Sequence, residues 1–131
     1  MPRATLARVP QELSEIIQLL RDAGARFAFV HGSRAEDSAR PDSDLDVAAW
    51  WQEEAPQAFD VLRPAGVDLL VLNSAPLELA GRVAQRGRLL FDDDPVARVR
   101  WLATTRKIYA DELPRLRRSD REFAEAVRHG R

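Results

Sequence analysis

Two carboxylates that alternate along the chain, ten residues after a glycine–serine pair, are the side chains whose types and spacing best suggest chemistry. The pair is Gly32-Ser33, and the carboxylates are Asp44 and Asp46 with Leu45 between them. If this segment is a strand, successive side chains point to opposite faces, so Asp44 and Asp46 share one face. Two like charges held so close repel each other, and a divalent cation would relieve that repulsion. Mg²⁺ binds carboxylate oxygens of this kind together with the phosphates of a substrate.

The Gly32-Ser33 pair suits a phosphate group. Gly32 permits a tight turn that brings the backbone close to a ligand. Ser33 adds a hydroxyl at a position where a short helix can present its first amides to a phosphate. Arg34, which follows, is a further candidate for a phosphate contact, and a surface ion pair explains it equally well. Together with the carboxylates, these residues predict a site for a metal-bound nucleotide.

A third carboxylate, Asp68, is the only charge in the run from Gly66 to Asn73. A charge inside an apolar strand is costly unless it is paired or bound to a metal. Taken alone, Asp68 can equally begin the strand and face water. Taken with the upstream carboxylates, we interpret it as a catalytic or metal-binding residue.

The spacing of glycine-serine, ten residues and Asp-x-Asp resembles the nucleotidyltransferase signature of the DNA polymerase β superfamily. The segment GSRA…ARPDSDLDVA is most similar to the minimal nucleotidyltransferases, small bacterial and archaeal proteins. Many of those are antitoxins encoded beside a HEPN-domain ribonuclease toxin. The resemblance extends over about residues 30–95. It implies that Asp44, Asp46 and Asp68 bind Mg²⁺ or Mn²⁺ and carry the catalysis.

The same resemblance implies a reaction and a partner. Gly32, Ser33 and Arg34 would bind the nucleotide, with ATP as the substrate. AMP would pass to a hydroxyl, that of a tyrosine, on a HEPN-type toxin, with which the chain would form a hetero-oligomer. Two alternatives remain open. One is an antitoxin that neutralises its partner by contact alone, and the other is a nucleotidyltransferase for small molecules of the aminoglycoside type.

Length and composition set the outer bounds of the prediction. The chain has 131 residues, which predicts a single domain over 1–131. The resemblance implies that this is a nucleotidyltransferase domain, with a core over about 10–95 and a helical extension over 95–131. A hydrophobic content of 45% and a charged content of 31% are typical of a folded globular protein. The absence of cysteine excludes disulfides and thiolate metal sites. No apolar run suggests a signal peptide or a membrane span, so we expect a cytoplasmic protein without a membrane partner.

Charge is distributed unevenly along the chain. Residues 1–94 carry 10 basic and 16 acidic side chains, whereas residues 95–131 carry 10 basic and 5 acidic ones. The acidic part contains the predicted metal site. The basic part is best explained as the solvated face of a helix. Because no recognition-helix motif accompanies it, the sequence does not support nucleic acid as a partner.

Alternating patterns along the chain predict an α/β protein with a mixed sheet of about four strands flanked by helices. The resemblance implies the same small polymerase β-like core. The predicted helices cover 10–24, 54–62 and 76–87, and the predicted strands cover 26–31, 45–51, the segment around Asp68, and 88–91. Trp50 and Trp51 should point to opposite faces of their strand and pack in the core. Asp92-Asp-Asp94 favours the start of the next helix over a metal cluster.

The C-terminal region has apolar residues at helical spacing. The stripe runs through Val96, Val99, Leu102, Tyr109, Leu113 and Leu116. Pro114 should kink or break this helix because proline lacks a backbone donor. Phe123 and Val127 would then continue on a second short helix.

Overall fold

The computed structural model describes residues 11–32 and 44–128 as three helices and four strands. The helices are α1 (Gln11–Asp22), α2 (Leu77–Arg86) and α3 (Pro95–Arg128). The strands are β1 (Phe27–His31), β2 (Leu45–Trp50), β3 (Val67–Val71) and β4 (Arg88–Asp92). Every predicted strand is therefore present, with ends shifted by a residue or two.

The four strands form one mixed sheet in the order β3-β2-β1-β4. Strand β1 is antiparallel to both β2 and β4, while β2 and β3 are parallel. Strand β2 therefore lies between β1 and β3. Residues that end β1 and residues that begin β2 and β3 therefore meet at one end of the sheet.

Helix α1 covers one face of the sheet. Its apolar side chains Leu13, Ile16 and Leu20 are buried against strand residues that include Val30 and Val47. The helix ends as predicted, with Gly24 at a φ of 98°, a backbone conformation that side chains rarely adopt. The indole of Trp51 lies on this face and donates a hydrogen bond to the Ala23 carbonyl at 3.0 Å.

Helices α2 and α3 cover the opposite face. Phe27, Phe29 and Val83 are buried there, and the ring of Trp101 from α3 lies 5.8 Å from that of Phe29. Trp50 points to this face and stacks on Phe27 with ring centres 5.1 Å apart. The two adjacent tryptophans thus point to opposite faces, as predicted. Trp51 is buried in the core, and Trp50 is half-buried against it.

Helices α2 and α3 pack against each other in opposite directions. Gly81 lies against the Tyr109 ring, so closely that a Cβ at residue 81 would overlap the ring. One turn away, the Arg106 guanidinium donates to the Ala84 carbonyl at 2.9 Å. Since residue numbers fall along α2 as they rise along α3, the first residue of α2 lies level with about residue 113 of α3. Helix α3 then continues to Arg128.

The helix predicted over 54–62 is wrong. The structure has a single 3-10 turn there, Ala58–Asp60. The Arg63 guanidinium explains the difference, because it donates to the carbonyls of Ala58 and Val61 and also to that of Val67 in β3. These carbonyls are therefore bound to a side chain at the edge of the sheet, and Pro56 removes a donor that a helix would need.

The structure shows no break at Pro114, where the sequence predicts a kink or a break. Helix α3 runs without interruption from Pro95 to Arg128, so Phe123 and Val127 belong to the same helix as Tyr109. Proline at an exposed position removes one backbone hydrogen bond but does not require the helix to end. Glu112 and Arg115, with side chains 3.6 Å apart, form an ion pair across the proline.

The aspartates before α3 act as predicted for a helix start. Asp94 accepts a hydrogen bond from the Ala97 amide at 3.1 Å, which caps the first turn. Asp92 accepts one from the Arg98 guanidinium at 2.6 Å. Asp93 pairs with Arg21 of α1 at 2.8 Å. These carboxylates therefore bind groups of α1 and of the first turn of α3.

Candidate active site

Three polar side chains form a row across one end of the sheet. The strand register pairs His31 of β1 with Asp46 of β2, and Asp46 with Asp68 of β3. Paired residues on neighbouring strands point to the same face, so the three side chains lie side by side. This face is the one that carries Phe29 and Ala48 and is covered further along by α2 and α3.

Asp46 occupies the middle of this row and is half-buried. Its partial burial, above all, raises the pKa of its carboxyl group, and the charges of Asp68 and Asp44 raise it further, while His31 acts in the opposite direction. Burial disfavours the ionised form, and neighbouring carboxylates disfavour it again. A cation bound between the carboxylates would remove both penalties.

His31 lies on the inner side of Asp46. Burial lowers the pKa of its imidazole, and Asp46 opposes that shift, so the neutral ring is favoured. Its Nε2 atom is buried and has no hydrogen-bond partner among the residues that the structure describes. A buried polar atom without a partner is costly, and such atoms are often found where a ligand binds.

Asp44 and Asp68 complete the acidic group from the solvent side, where both side chains are exposed. Asp44 directly precedes β2, and the alternation along the chain directs it to the face of Asp46. The turn before β3 is adjacent: Gly66 has a φ of 81°, and its carbonyl accepts the Leu45 amide at 2.8 Å. A Cβ at residue 66 would lie 4.0 Å from Oδ1 of Asp44.

Gly32 follows β1 and lies against the central carboxylate. Its φ is 71°, a left-handed conformation that favours glycine. A Cβ at this position would overlap Oδ2 of Asp46 and lie 3.3 Å from its Cγ. The glycine is therefore required both by the turn and by the close approach of the backbone to the carboxylate.

The structure thus brings together four of the predicted site residues, Gly32, Asp44, Asp46 and Asp68. Ser33 and Arg34 lie outside the described residues. Within 11–32 and 44–128, no three acidic or histidine side chains converge as a ready-made metal cage. The carboxylates form an open row, which suits an ion that also takes ligands from a substrate.

The residues present fit a divalent cation of the magnesium type. The donors are carboxylate oxygens, and the one in the middle has its ionised form destabilised by burial and by two neighbouring charges. Hard cations prefer such oxygen donors, and two carboxylates with substrate phosphates are a common ligand set. With a glycine turn beside it, the row can hold a metal-bound polyphosphate.

Two local features were missed by the sequence prediction. The turn at Gly66 contacts the start of β2 through the Leu45 amide, and a glycine two residues before Asp68 was the available signal. Asn73 binds the chain just after the other end of β2. Its side chain accepts a hydrogen bond from the Trp51 amide at 3.0 Å and donates one to the Trp51 carbonyl at 2.6 Å. An isolated asparagine gave no such signal.

Comparison with protein families gives one match of long extent. The model of the family described as "Polymerase beta, Nucleotidyltransferase" matches residues 14–96. This range contains the whole row and the four strands. No curated protein matches the chain in sequence.

Comparison with solved structures finds the same fold in toxin–antitoxin complexes. A crystal structure of a toxin–antitoxin with AMP-PNP contains a chain that is 22% identical, with a TM-score of 0.59, over 82% of this chain and 97% of that one. A structure of the tri-AMPylated Shewanella oneidensis HEPN toxin with an MNT antitoxin gives 21% identity and a TM-score of 0.64, over 88% and 99%. The MntA-HepT toxin–antitoxin crystal structure gives 22% and 0.53, over 82% and 96%.

The helices of the described residues do not meet the requirements of a membrane span. Across residues 11–32 and 44–128, no helix has both the length and the apolar composition that a bilayer span requires. Helix α3 has the length, but charged residues occur in every turn of its C-terminal half.

Proposed function

We propose, since this chain belongs to the polymerase β nucleotidyltransferase family, that it transfers AMP from ATP to a protein hydroxyl and so acts as an antitoxin. The observation that carries the proposal is the row of Asp46 and Asp68 in register, with Gly32 held against Asp46. That arrangement offers oxygen ligands to a metal and close backbone to a phosphate. The reaction requires both.

The roles proposed for the side chains follow from their positions. Asp44, Asp46 and Asp68 would hold Mg²⁺ or Mn²⁺. The turn at Gly32, continued by Ser33 and Arg34, would bind the β- and γ-phosphates of ATP. The metal, when bound, supplies positive charge that neutralises the phosphates and the developing charge on the leaving group.

In the proposed reaction the acceptor oxygen attacks the α-phosphorus. A new O–P bond forms, the bond from the α-phosphorus to the bridging oxygen breaks, and pyrophosphate leaves with the electron pair. Asp68, which is exposed at the outer end of the row, would either bridge to the metal near the nucleophile or accept the proton of the attacking hydroxyl. Most of the rate enhancement would come from positioning and charge neutralisation.

The acceptor is proposed from the structural relatives. One of them is a complex with a tri-AMPylated HEPN toxin, and another holds AMP-PNP. We infer that this chain modifies a tyrosine hydroxyl of a HEPN-type toxin, with ATP as the donor, in the cytoplasm where ATP is abundant. The two proteins would form a hetero-oligomer.

Transfer of α-labelled phosphate tests this function. The purified chain is incubated with Mg²⁺, α-³²P-ATP and a purified HEPN-type toxin, and the products are separated by mass. We expect label on the HEPN protein with the wild type and none with the Asp44→Asn/Asp46→Asn variant. γ-Labelled ATP should leave the HEPN protein unlabelled, since the γ-phosphate departs in the pyrophosphate.

An Asp60→Asn/Asp93→Asn variant is the matched control, because it also removes two carboxylates but leaves the row intact. It should label as the wild type does. Label on a small molecule only would establish the aminoglycoside-type alternative. Absence of any label, with protection from the toxin retained by the Asp44→Asn/Asp46→Asn variant, would establish neutralisation by contact.

A further inference from the structure

The C-terminal part of α3 extends past the helix that packs against its N-terminal part. Contacts of Tyr109 with Gly81 and of Arg106 with Ala84 place the start of α2 level with about residue 113. Residues 114–128 therefore continue beyond α2 for roughly 22 Å at 1.5 Å per residue. This free segment of α3 is the subject of the inference.

The free segment continues the apolar stripe that packs on α2. After Tyr109 and Leu113, the same side of the helix carries Leu116, Phe123 and Val127 at spacings of three, four and seven. Phe123 is 72% exposed and Val127 is 59% exposed. Large apolar side chains that share one face of a helix and remain exposed are typical of a surface that binds another protein.

The remaining sides of the segment are charged in a pattern that supports an exposed helix. Arg118 and Glu122 are four residues apart, as are Asp111 and Arg115, and Glu112 lies 3.6 Å from Arg115. A helix with such pairs is stable in water on those sides. On the apolar stripe of the free segment, Leu116 is half-buried, whereas Phe123 and Val127 are exposed.

One residue in the stripe restricts what can cover it. Asp120 lies four residues after Leu116 and three before Phe123, so any protein that buries the stripe also approaches this carboxylate. Burying a carboxylate without a cation is strongly unfavourable. The binding partner must therefore place a positive charge opposite Asp120.

A second copy of this chain does not meet that requirement. In a parallel pair of α3 helices, the two Asp120 side chains would face each other. In an antiparallel pair, α2 prevents the second helix from passing residue 113, so the two free segments overlap with their centres near residue 121. The two Asp120 carboxylates again lie close together, and like charges in that position destabilise the pair.

We propose that the free segment of α3 docks a helix of the HEPN-type acceptor protein, which presents apolar side chains at spacings of three and four and an arginine or lysine opposite Asp120. The identity of the partner rests on the proposed function. The chemistry of the surface, an apolar stripe interrupted by one carboxylate, rests on α3 alone. When a helix binds in a groove or against another helix, apolar side chains at spacings of three and four make the main contacts.

Binding measurements with the full chain test the proposal. Isothermal titration with an unmodified HEPN-type toxin gives the affinity of the wild type, of Phe123→Glu/Val127→Glu and of Asp120→Arg. We expect the apolar-stripe variant to lose about 100-fold or more in affinity. Asp120→Arg should lose about tenfold or more, because it places like charges in contact.

A matched double variant on the charged side, Arg118→Ala/Glu122→Ala, is the control and should bind within about twofold of the wild type. All variants should keep the thermal midpoint of the wild type, since their side chains are exposed. Labelling of a short tyrosine peptide by α-³²P-ATP should be unchanged in every variant, because none of them touches the carboxylate row.

Three results would overturn the inference: affinity of Phe123→Glu/Val127→Glu within about threefold of the wild type, unchanged affinity of Asp120→Arg, or self-association of the wild type that the Phe123 variant abolishes. Failure of the proposed function gives a different result. In that case the complex forms and depends on Phe123, yet neither the HEPN protein nor the peptide is labelled.

Discussion

Gly32 lies directly against the Asp46 carboxylate, and a Cβ at residue 32 would overlap Oδ2 of that side chain. Gly32→Ala must therefore displace Asp46 and also strain a backbone with a φ of 71°. We expect at least about a 100-fold loss in AMP transfer, measured with α-labelled ATP, because small displacements in such sites are costly.

Gly24→Ala is the matched control for this prediction. Gly24 has a φ of 98°, so alanine is strained there too, but the added Cβ would be at an ordinary 3.5 Å from Trp51. It should lower the free energy of unfolding by about 1 kcal/mol and leave transfer intact. Equal loss of transfer in both variants would contradict a specific role of Gly32.

Asp46→Asn should stabilise the protein in the absence of metal. The pKa of Asp46 is raised in the folded state, chiefly by burial, so above its unfolded pKa the ionised group opposes folding. Removing the charge should raise the thermal midpoint at pH 7 in EDTA by about 3–5 °C. Mg²⁺ should raise the midpoint of the wild type and have little effect on the variant.

Asp60→Asn serves as the control, because Asp60 is an exposed carboxylate away from the row. It should leave both the midpoint in EDTA and the response to Mg²⁺ unchanged. A Mg²⁺ response of Asp46→Asn equal to that of the wild type would show that the ion binds elsewhere.

The ion pair between Arg21 and Asp93 should give a small, pH-dependent contribution to stability. Hydrogen bonds from the Arg21 guanidinium, at 2.8 Å, lower the pKa of Asp93. A lowered pKa means that the stabilisation is complete above the unfolded pKa and is lost as pH falls through the folded pKa. Because the side chains are 42% and 38% exposed, the contribution at pH 7 should be below about 1 kcal/mol.

Urea unfolding of the wild type and Asp93→Asn at several pH values measures this contribution. The difference between the two should be present at pH 7 and be lost as the pH falls through the lowered folded-state pKa of Asp93. It should also decrease in high salt. A difference that persists unchanged to low pH would assign the effect to packing.

Gly81→Ala should separate α2 from α3, because the new Cβ would overlap the ring of Tyr109. We expect a loss of about 1–3 kcal/mol in the free energy of unfolding, which is typical of overpacking. Combining it with Tyr109→Leu should restore part of the loss, and a double-mutant cycle in urea measures the coupling. Strict additivity of the two substitutions would show that the residues are not in contact.

Most of the fold could be predicted because its signals are local. Alternation around Asp46 and the apolar run around Asp68 each predicted a strand, and Gly24 predicted the end of α1. The segment 54–62 could not be predicted, since its conformation depends on Arg63 reaching three carbonyls. The break predicted at Pro114 does not occur, because proline removes only one backbone hydrogen bond from a long helix that is otherwise well formed.

The site could be predicted in its residues but not in its arrangement. The spacing of Asp44 and Asp46 indicated that they share a face. Their relation to Asp68 depends on the parallel pairing of β2 and β3, and their relation to His31 depends on the antiparallel pairing with β1. Both registers arise from tertiary structure, and no local pattern in the chain specifies them.

The register of β2 makes the row sensitive to changes in chain length and tolerant of changes in side chain. Substituting a neighbour such as Ala48 leaves every residue opposite the same partner. Deleting one residue at the start of β2, such as Leu45, by contrast, moves each following side chain to the other face of the sheet. Genetic variation in this strand should therefore include exchanges but exclude single-codon insertions and deletions.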